Sequence, residues 1–327
     1  MLRRQLFKSG LLLSGGLTVG SRSVIAGLPR SGNVELEFTG IDAWINAKQV
    51  SMDQLRGNMA LVNFWTYSCI NSRRPMTYLK RWHAEYGPLG LRVVGIHTPE
   101  FQFEHDRANV ETYIRQEAVL YPVGLDNGYR TWDAFHNDAW PEFYLLDRNG
   151  RVVLTRAGEG YGLEMESFIR NALGLPGTGP VGHPGDDPDL SGIQTPETYF
   201  GAQHPTPQDV RQSPRMGTAD YSFAHSTSPA LNQYFLDGTW SREDERLVLA
   251  SARGSLRFRF SAARLYMVAG APRTTKIHVR VDGEEKPPVE IGWPTLYTVV
   301  NGNTYGEHLL EVVADAPGLT LFSATFG

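Results

Sequence analysis

Phe64-Trp65-Thr66-Tyr67-Ser68-Cys69-Ile70-Asn71-Ser72-Arg73-Arg74 is the stretch that decides the reading of this chain. It follows Ala60-Leu61-Val62-Asn63, so a nearly continuous apolar run from residue 60 to 65 ends just before it. A run of that length with few polar positions predicts a strand buried on both faces. Met76, Leu79, Trp82 and His83 then recur at helical spacing, which predicts a helix from about Ile70 to Tyr86. Cys69 therefore falls at a strand-to-helix turn, where a redox dithiol would be written C-x-x-C. Here the motif is C-x-x-S, because Ser72 stands at the second position and Cys69 is the only cysteine of the chain.

The pattern around this turn alternates strands and helices over residues 33–175. Val34 to Phe38 alternates as a half-buried strand, and Leu91 to His97 reads as a second buried strand. Asn109 to Glu117 predicts a helix, Tyr121 to Leu125 a short strand and Tyr129 to Phe135 a short helix. Glu142 to Asp147 and Arg151 to Arg156 form a hairpin across Arg148-Asn149-Gly150. Leu163 to Leu173 closes the unit as a helix, with Gly174 at its C′ position. Residues 176–194 are rich in Gly, Pro and Asp and read as a linker. Asp186, Asp187 and Asp189 in it read as a solvated turn in preference to a calcium loop. From 195 to 327 helical periodicity gives way to short alternating runs: Ser255 to Phe260, Lys276 to Val281 and Leu319 to Phe322, with a turn at Asp282-Gly283. That predicts an all-β, jelly-roll-like sandwich.

Residues 1–32 read as a leader. Arg3-Arg4-Gln5-Leu6-Phe7-Lys8 resembles a twin-arginine export signal, the apolar stretch after it is glycine-rich, and Val24-Ile25-Ala26 offers a cleavage site. This implies a periplasmic or otherwise extracytoplasmic address. A net charge of −4 without a basic stripe argues against nucleic acid, and no apolar run is long enough for a membrane span.

Long words of the sequence carry a family resemblance. They are Leu55-Arg56-Gly57, Val62 to Asn71, Gly95-Ile96-His97-Thr98-Pro99-Glu100-Phe101, Tyr121-Pro122-Val123 and Trp140-Pro141. Together they resemble the TlpA-like thioredoxins, and in particular the thioredoxin-like domain at the C-terminus of DipZ proteins. Thr195 to Gly201, Gly238-Thr239-Trp240 and Phe326-Gly327 resemble the carbohydrate-binding-module type of β-sandwich that accompanies that domain. The resemblance implies an α/β thioredoxin fold followed by the sandwich, with Cys69 as attacking thiol. It also implies a cis-proline at Pro141 facing the sulfur, and a backbone at Trp140 that pairs with substrate. Family members usually read Cys-Ile-Asn-Cys, and thioredoxins keep a buried acid two residues before the Trp of this strand. This chain has Ser72 and Asn63 instead, so both parts that serve resolution of a mixed disulfide are absent.

A thiol attacks as thiolate. The helix start and Arg73, one turn on, predict a lowered pKa for Cys69. Trp65, Trp140, Arg73 and Glu100 are the candidate substrate-binding residues around the candidate catalytic Cys69, Ser72 and Pro141. Glu100 could equally cap its own loop. No metal or cofactor is implied, and the partner expected is a thiol or disulfide, on a protein or a small molecule. Two other functions stay open. Thr66-x-x-Cys69 matches the core of a peroxidase site, in which a thiolate becomes a sulfenic acid. A redox-inactive binding scaffold is the second, with Trp240, Trp293, Tyr297 and Tyr305 stacking on carbohydrate.

Overall fold

A computed structural model describes residues 36–177, 181–183, 186–203, 216–223 and 228–327. The leader expected at residues 1–32, with its twin-arginine pair, lies outside the described residues. Residues 36–175 contain six strands, β1 (Ala43–Ile45), β2 (Met59–Trp65), β3 (Leu91–His97), β4 (Val123–Leu125), β5 (Glu142–Leu146) and β6 (Val152–Ala157). Their helices are α1 (Met52–Leu55), α2 (Ile70–Arg73), α3 (Met76–Tyr86), α4 (Arg107–Gln116), α5 (Arg130–Ala134) and α6 (Gly162–Ala172). The strand order is β1-β4-β3-β2-β5-β6, with β2, β3 and β4 parallel and β5 antiparallel to β2. This is the thioredoxin-like arrangement.

β2 is buried at all seven positions, because its two faces meet two different apolar layers. Met59, Leu61 and Trp65 pack with Leu79, Trp82, Val110 and Ile169 from α3, α4 and α6. Ala60, Val62 and Phe64 pack on the other side with Met52, Leu55, Trp132 and Phe135. Alternation of side chains along a strand is what sends odd and even positions to opposite layers. Each large apolar side chain sealed this way contributes about 1.5–3 kcal/mol.

Two elements depart from the sequence reading. The helix expected from Ile70 to Tyr86 is broken: α2 ends at Arg73, and α3 begins after Pro75. Proline has no N–H to continue the ladder, so the hydrogen bonding breaks there although Arg74 and Pro75 both keep helical dihedrals. The strand expected at 34–38 is extended chain without a ladder at its described positions, and the first strand is β1. Leu36 and Phe38 still reach the apolar layer beneath β2, which explains their alternation.

Residues 198–326 supply β7 (Thr198–Tyr199), β8 (Gly217–Tyr221), β9 (Tyr234–Arg242), β10 (Leu247–Leu249), β11 (Gly254–Ser261) and β12 (Arg264–Gly270). β13 (Thr275–Val281), β14 (Glu284–Ile291), β15 (Thr295–Asn301), β16 (Glu307–Ala314) and β17 (Thr320–Phe326) complete the set. As the all-β reading of this part expects, they form one continuous antiparallel sheet, nearly barrel-shaped. The reason is β9. Its first half pairs with β11, and its second half with β8 and β10. The bend falls at Gly238, whose φ is +95° and whose Cβ, if present, would sit 2.8 Å from the Arg253 carbonyl oxygen. Trp240, Phe258, Phe260, Met267, Leu310 and Phe326 fill the interior. Asp282 and Gly283 both have positive φ at the β13–β14 hairpin, as a two-residue turn of this hand requires.

The segment between the two parts is pinned. Asp186 forms a two-armed ion pair with Arg81, and Asp187 accepts the Gly162 and Leu163 amides at the start of α6. Asp189 accepts the Ser191 amide. These acids are latches, so the solvated-turn reading of the first two is corrected. The described residues from Leu36 to Gly327 pack as one compact unit.

Candidate functional site

Cys69 is the N-cap of α2, and its carbonyl accepts the Ser72 and Arg73 amides at 3.1 and 3.0 Å. Its sulfur lies 3.9 Å from the Trp140 carbonyl oxygen, and the Trp140–Pro141 peptide is cis. The Trp140 indole donates to the Thr98 carbonyl at 2.9 Å, which ties the proline loop to the end of β3. Ser72 is fully buried, and its hydroxyl oxygen accepts the Thr66 amide at 3.4 Å. It sits in the second sulfur's place as a hydrogen-bonded plug of the turn. Asn63, beneath it on β2, is fully buried, and neither atom of its amide has a partner.

Glu104 organises the turn from a distance in sequence. One of its oxygens accepts the Ser68 amide and hydroxyl at 3.2 and 2.6 Å, and the other accepts the Glu100 and Phe101 amides at 2.6 and 2.9 Å. Loop capping, one of the two roles open to Glu100, therefore belongs to Glu104. Glu100 instead accepts the Tyr199 hydroxyl at 2.6 Å, and Tyr199 comes from β7 of the C-terminal domain. His97 is fully buried, 3.5 Å from the Thr66 hydroxyl, and burial lowers its pKa to about 3. It is neutral at neutral pH.

The C-terminal sheet covers this face. Ile70, the residue after the thiol, packs with Phe101, Tyr266, Val268, Leu296 and Phe322. The Tyr67 hydroxyl donates to the Pro294 carbonyl at 3.1 Å, and its ring stacks on Trp293 with centroids 5.6 Å apart. Gln102 donates its amide to Glu245 at 2.9 Å. Cys69 is left 8% exposed, which limits what can reach it.

Several expectations are corrected here. The Cys69 thiol pKa is pushed well up, first by burial and then by the nearby charges of Glu197 and Glu100, and the Ser72 and Asn71 amides only partly oppose this. Arg73 is engaged by the protein itself. Its guanidinium donates to the Tyr67 carbonyl and the Thr295 hydroxyl, both at 2.6 Å, and to the Leu296 carbonyl, and it lies over the Tyr113 ring. Trp65 faces the core, against His97 and Tyr113, so it offers no surface to a ligand. The aromatic residues proposed for sugar stacking are also engaged. Trp240 is core, Trp293 packs on Tyr67, and the Tyr297 hydroxyl bridges Gly292 and Trp293. The Tyr305 hydroxyl donates to the Asp189 carbonyl.

Sequence reading passed over Glu104, Glu197 and Tyr199 as site residues. Glu197 and Tyr199 do fall in the Thr195 to Gly201 word, but no local pattern points that word at a thiol more than 120 positions earlier. Among the described residues no group of His, Cys, Asp and Glu is placed to hold a metal ion. None of their helices is long and apolar enough to cross a membrane.

Residues 34–155 match the AhpC/TSA family, and residues 195–327 match the family described as thioredoxin like C-terminal domain. The chain is 31% identical over 334 residues to the protein DipZ of Mycobacterium bovis and to that of Mycobacterium tuberculosis. Those matches cover 100% of this chain and 47% of the relatives, so the chain spans about half their length. It is 29% identical over 130 residues to the thiol-disulfide oxidoreductase YkuV of Bacillus subtilis, covering 39% of this chain and 86% of that one. A solved thioredoxin-like protein in the oxidized form is 25% identical, with a TM-score of 0.38 over 41% of this chain and 89% of its own. With a thioredoxin-like sheet, a cysteine at the start of α2 and a C-terminal β-domain that matches its own family, the chain is similar along its length to the DipZ- and TlpA-like thioredoxin-like proteins.

Proposed function

We propose that this chain is an exported thiol-disulfide oxidoreductase-like protein that works through one sulfur. The Cys69 thiolate attacks a disulfide R–S–S–R, a Cys69–S–S–R mixed disulfide forms, and R–S⁻ departs. A second, external thiolate then attacks the mixed disulfide and frees Cys69. The carrying observation is the buried Ser72 hydroxyl in the place of a resolving sulfur, with the Cys69 sulfur still turned to the Trp140 carbonyl at the cis peptide. Low exposure of Cys69 under the C-terminal sheet favours small disulfides over folded proteins as substrates. The twin-arginine pair supports export.

Intact-mass measurement after incubation with bis(2-hydroxyethyl) disulfide tests the reading. One adduct is expected on the wild type, removed by excess external thiol, and none on Cys69→Ala. Insulin reduction is expected only from Ser72→Cys, with and without Asn63→Asp. Dithiol-like turnover of insulin by the wild type would sink the reading. The AhpC/TSA match favours a second activity at the same sulfur, peroxide reduction through a sulfenic acid. Cys69-dependent consumption of hydrogen peroxide, faster than by free cysteine, would select it.

A further inference from the structure

The peptide that joins Tyr67 to Ser68 comes directly before Cys69, and charged side chains hold both of its polar groups. Its carbonyl accepts the Arg73 guanidinium at 2.6 Å. Its N–H donates to one carboxylate oxygen of Glu104 at 3.2 Å, and the Ser68 hydroxyl donates to the same oxygen at 2.6 Å. We propose that Glu104 and Arg73 are positioning residues for the thiol: together they clamp the Tyr67–Ser68 peptide and so fix the direction of the Cys69 sulfur toward the Trp140 carbonyl. This rests on the single-sulfur reading above and names the groups that hold its nucleophile in place.

A peptide unit is planar, so gripping its two ends fixes the plane. Tyr67, Ser68 and Glu104 are fully buried. A flipped peptide would turn its carbonyl oxygen toward the carboxylate and its N–H toward the guanidinium. Both contacts would be repulsive, and the repulsion is strong where water is excluded. The clamp therefore tolerates one orientation. On the far side of the thiol, the Cys69 carbonyl accepts the Ser72 and Arg73 amides at 3.1 and 3.0 Å. The residue that carries the sulfur is thus held from both directions, with the sulfur 3.9 Å from the Trp140 carbonyl oxygen.

Each jaw of the clamp is itself fixed. The second oxygen of Glu104 accepts the Glu100 and Phe101 amides at 2.6 and 2.9 Å. Three of its four donors are backbone amides, which cannot accept, so the position suits a carboxylate and not a carboxamide. The short turn that carries it, Gln102–His105, is tied on two sides. The Asn109 side-chain amide donates to the Phe103 carbonyl at 2.9 Å, and that of Asn127 donates to the His105 carbonyl at 3.1 Å. Arg73 is braced on β15 of the C-terminal domain, where it donates to the Thr295 hydroxyl at 2.6 Å, and on the Tyr113 ring beneath it. One jaw therefore belongs to the loop after β3, and the other borrows its footing from the C-terminal sheet.

Two reactions of the full chain, measured at one pH, separate positioning from stability. Exchange with bis(2-hydroxyethyl) disulfide needs the sulfur aligned with the S–S bond beside Trp140. Alkylation by iodoacetamide uses the same thiolate with a small reagent that needs no docking. Their rate ratio cancels the thiolate fraction. Glu104→Gln should keep its oxygen on the Glu100 and Phe101 amides and turn its NH2 to Ser68, whose hydroxyl can accept but whose amide cannot. That opens the clamp and keeps the loop cap. The ratio of exchange to alkylation should fall about tenfold or more, within the roughly hundredfold that a misplacement of about 1 Å costs. Arg73→Lys cannot span the Tyr67 carbonyl and β15 together and should lower the ratio likewise. The double variant should fall by less than the product of the two single effects, because either change already frees the same peptide. A wild-type ratio in Glu104→Gln, or a double variant at the full product, overturns the clamp. One test needs no variant: the Ser68 amide of the wild type should exchange its hydrogen as slowly as the amides of β2, through global opening alone. Exchange of Ser68 at the rate of an open loop also overturns the clamp. Slow Ser68 exchange in a wild type that forms no mixed disulfide sinks the single-sulfur reading and leaves the clamp standing.

Discussion

At Asn63 a carboxamide occupies a fully buried position with no hydrogen-bond partner on either of its polar atoms. An unpaired buried polar group costs about 1–3 kcal/mol. Asn63→Val, apolar and nearer to asparagine in volume than leucine is, should therefore stabilise the fold by up to about that amount. A shift of the urea midpoint to higher concentration at unchanged slope checks this, and a loss of stability would mean that Asn63 has a partner in solution. Under the proposed single-sulfur function, mixed-disulfide formation by Cys69 should be unaffected in that variant, because Asn63 takes no part in the attack. The same residue shows what a single sequence can reveal: Ser72 and Asn63 stand where the resemblance places a second thiol and its base, and this is legible without any coordinates. The pKa of Cys69 was not legible in this way. Its helix-start position argued for a lowered value, but burial under β-domain residues outweighs the amide bonds.

The break between α2 and α3 shapes the site at the scale of elements. Pro75 ends the short helix that follows the thiol and leaves Arg74 at the junction, where its guanidinium meets Glu159 at 2.6 Å. The same guanidinium donates to the Phe326 carbonyl at 3.1 Å, so it ties α2, the loop after β6 and β17 together. Both charged groups are mostly buried, at 14% and 11% exposed. Arg74→Met should cost about 3–5 kcal/mol by stranding the Glu159 carboxylate. Adding Glu159→Gln should restore much of that loss, and thermal unfolding of the two variants is the measurement. A single variant as stable as the wild type would show that the pair holds nothing. Helix and strand types in this region were readable from periodicity, but the single helix expected from Ile70 to Tyr86 missed the break at Pro75. The partner of Arg74 was not, because it lies 85 positions away in sequence.

For the whole molecule, the C-terminal sheet closes over the face that bears Cys69. Leu296, Phe322, Tyr266 and Val268 from β15, β17 and β12 cover Ile70 and Phe101, and Arg73 is anchored on Thr295 and Leu296. Interfaces this apolar couple the stability of the parts they join. The full chain should unfold in one calorimetric transition. Leu296→Glu, which places a charge in that contact, should split it into two and raise the alkylation rate of Cys69 at pH 8 by about tenfold or more, because access then follows local opening. Two transitions already present in the wild type would refute the coupling.

Sequence by itself determined the local grammar. The buried run at 60–65, the cysteine at the turn, the serine and asparagine in place of thiol and acid, the proline after Trp140 and the change to β periodicity after 195 are all one-dimensional signals of spacing and side-chain type. Tertiary structure alone decided what those residues meet. It sent Trp65 inward and Arg73 across the domain boundary, gave loop capping to Glu104, and joined the strands of the C-terminal all-β domain through β9. It also brought Tyr199 to Glu100. The physical reason is that burial and charge at a site depend on every chain segment within a few ångströms, and here the decisive segments are separated by about a hundred residues or more.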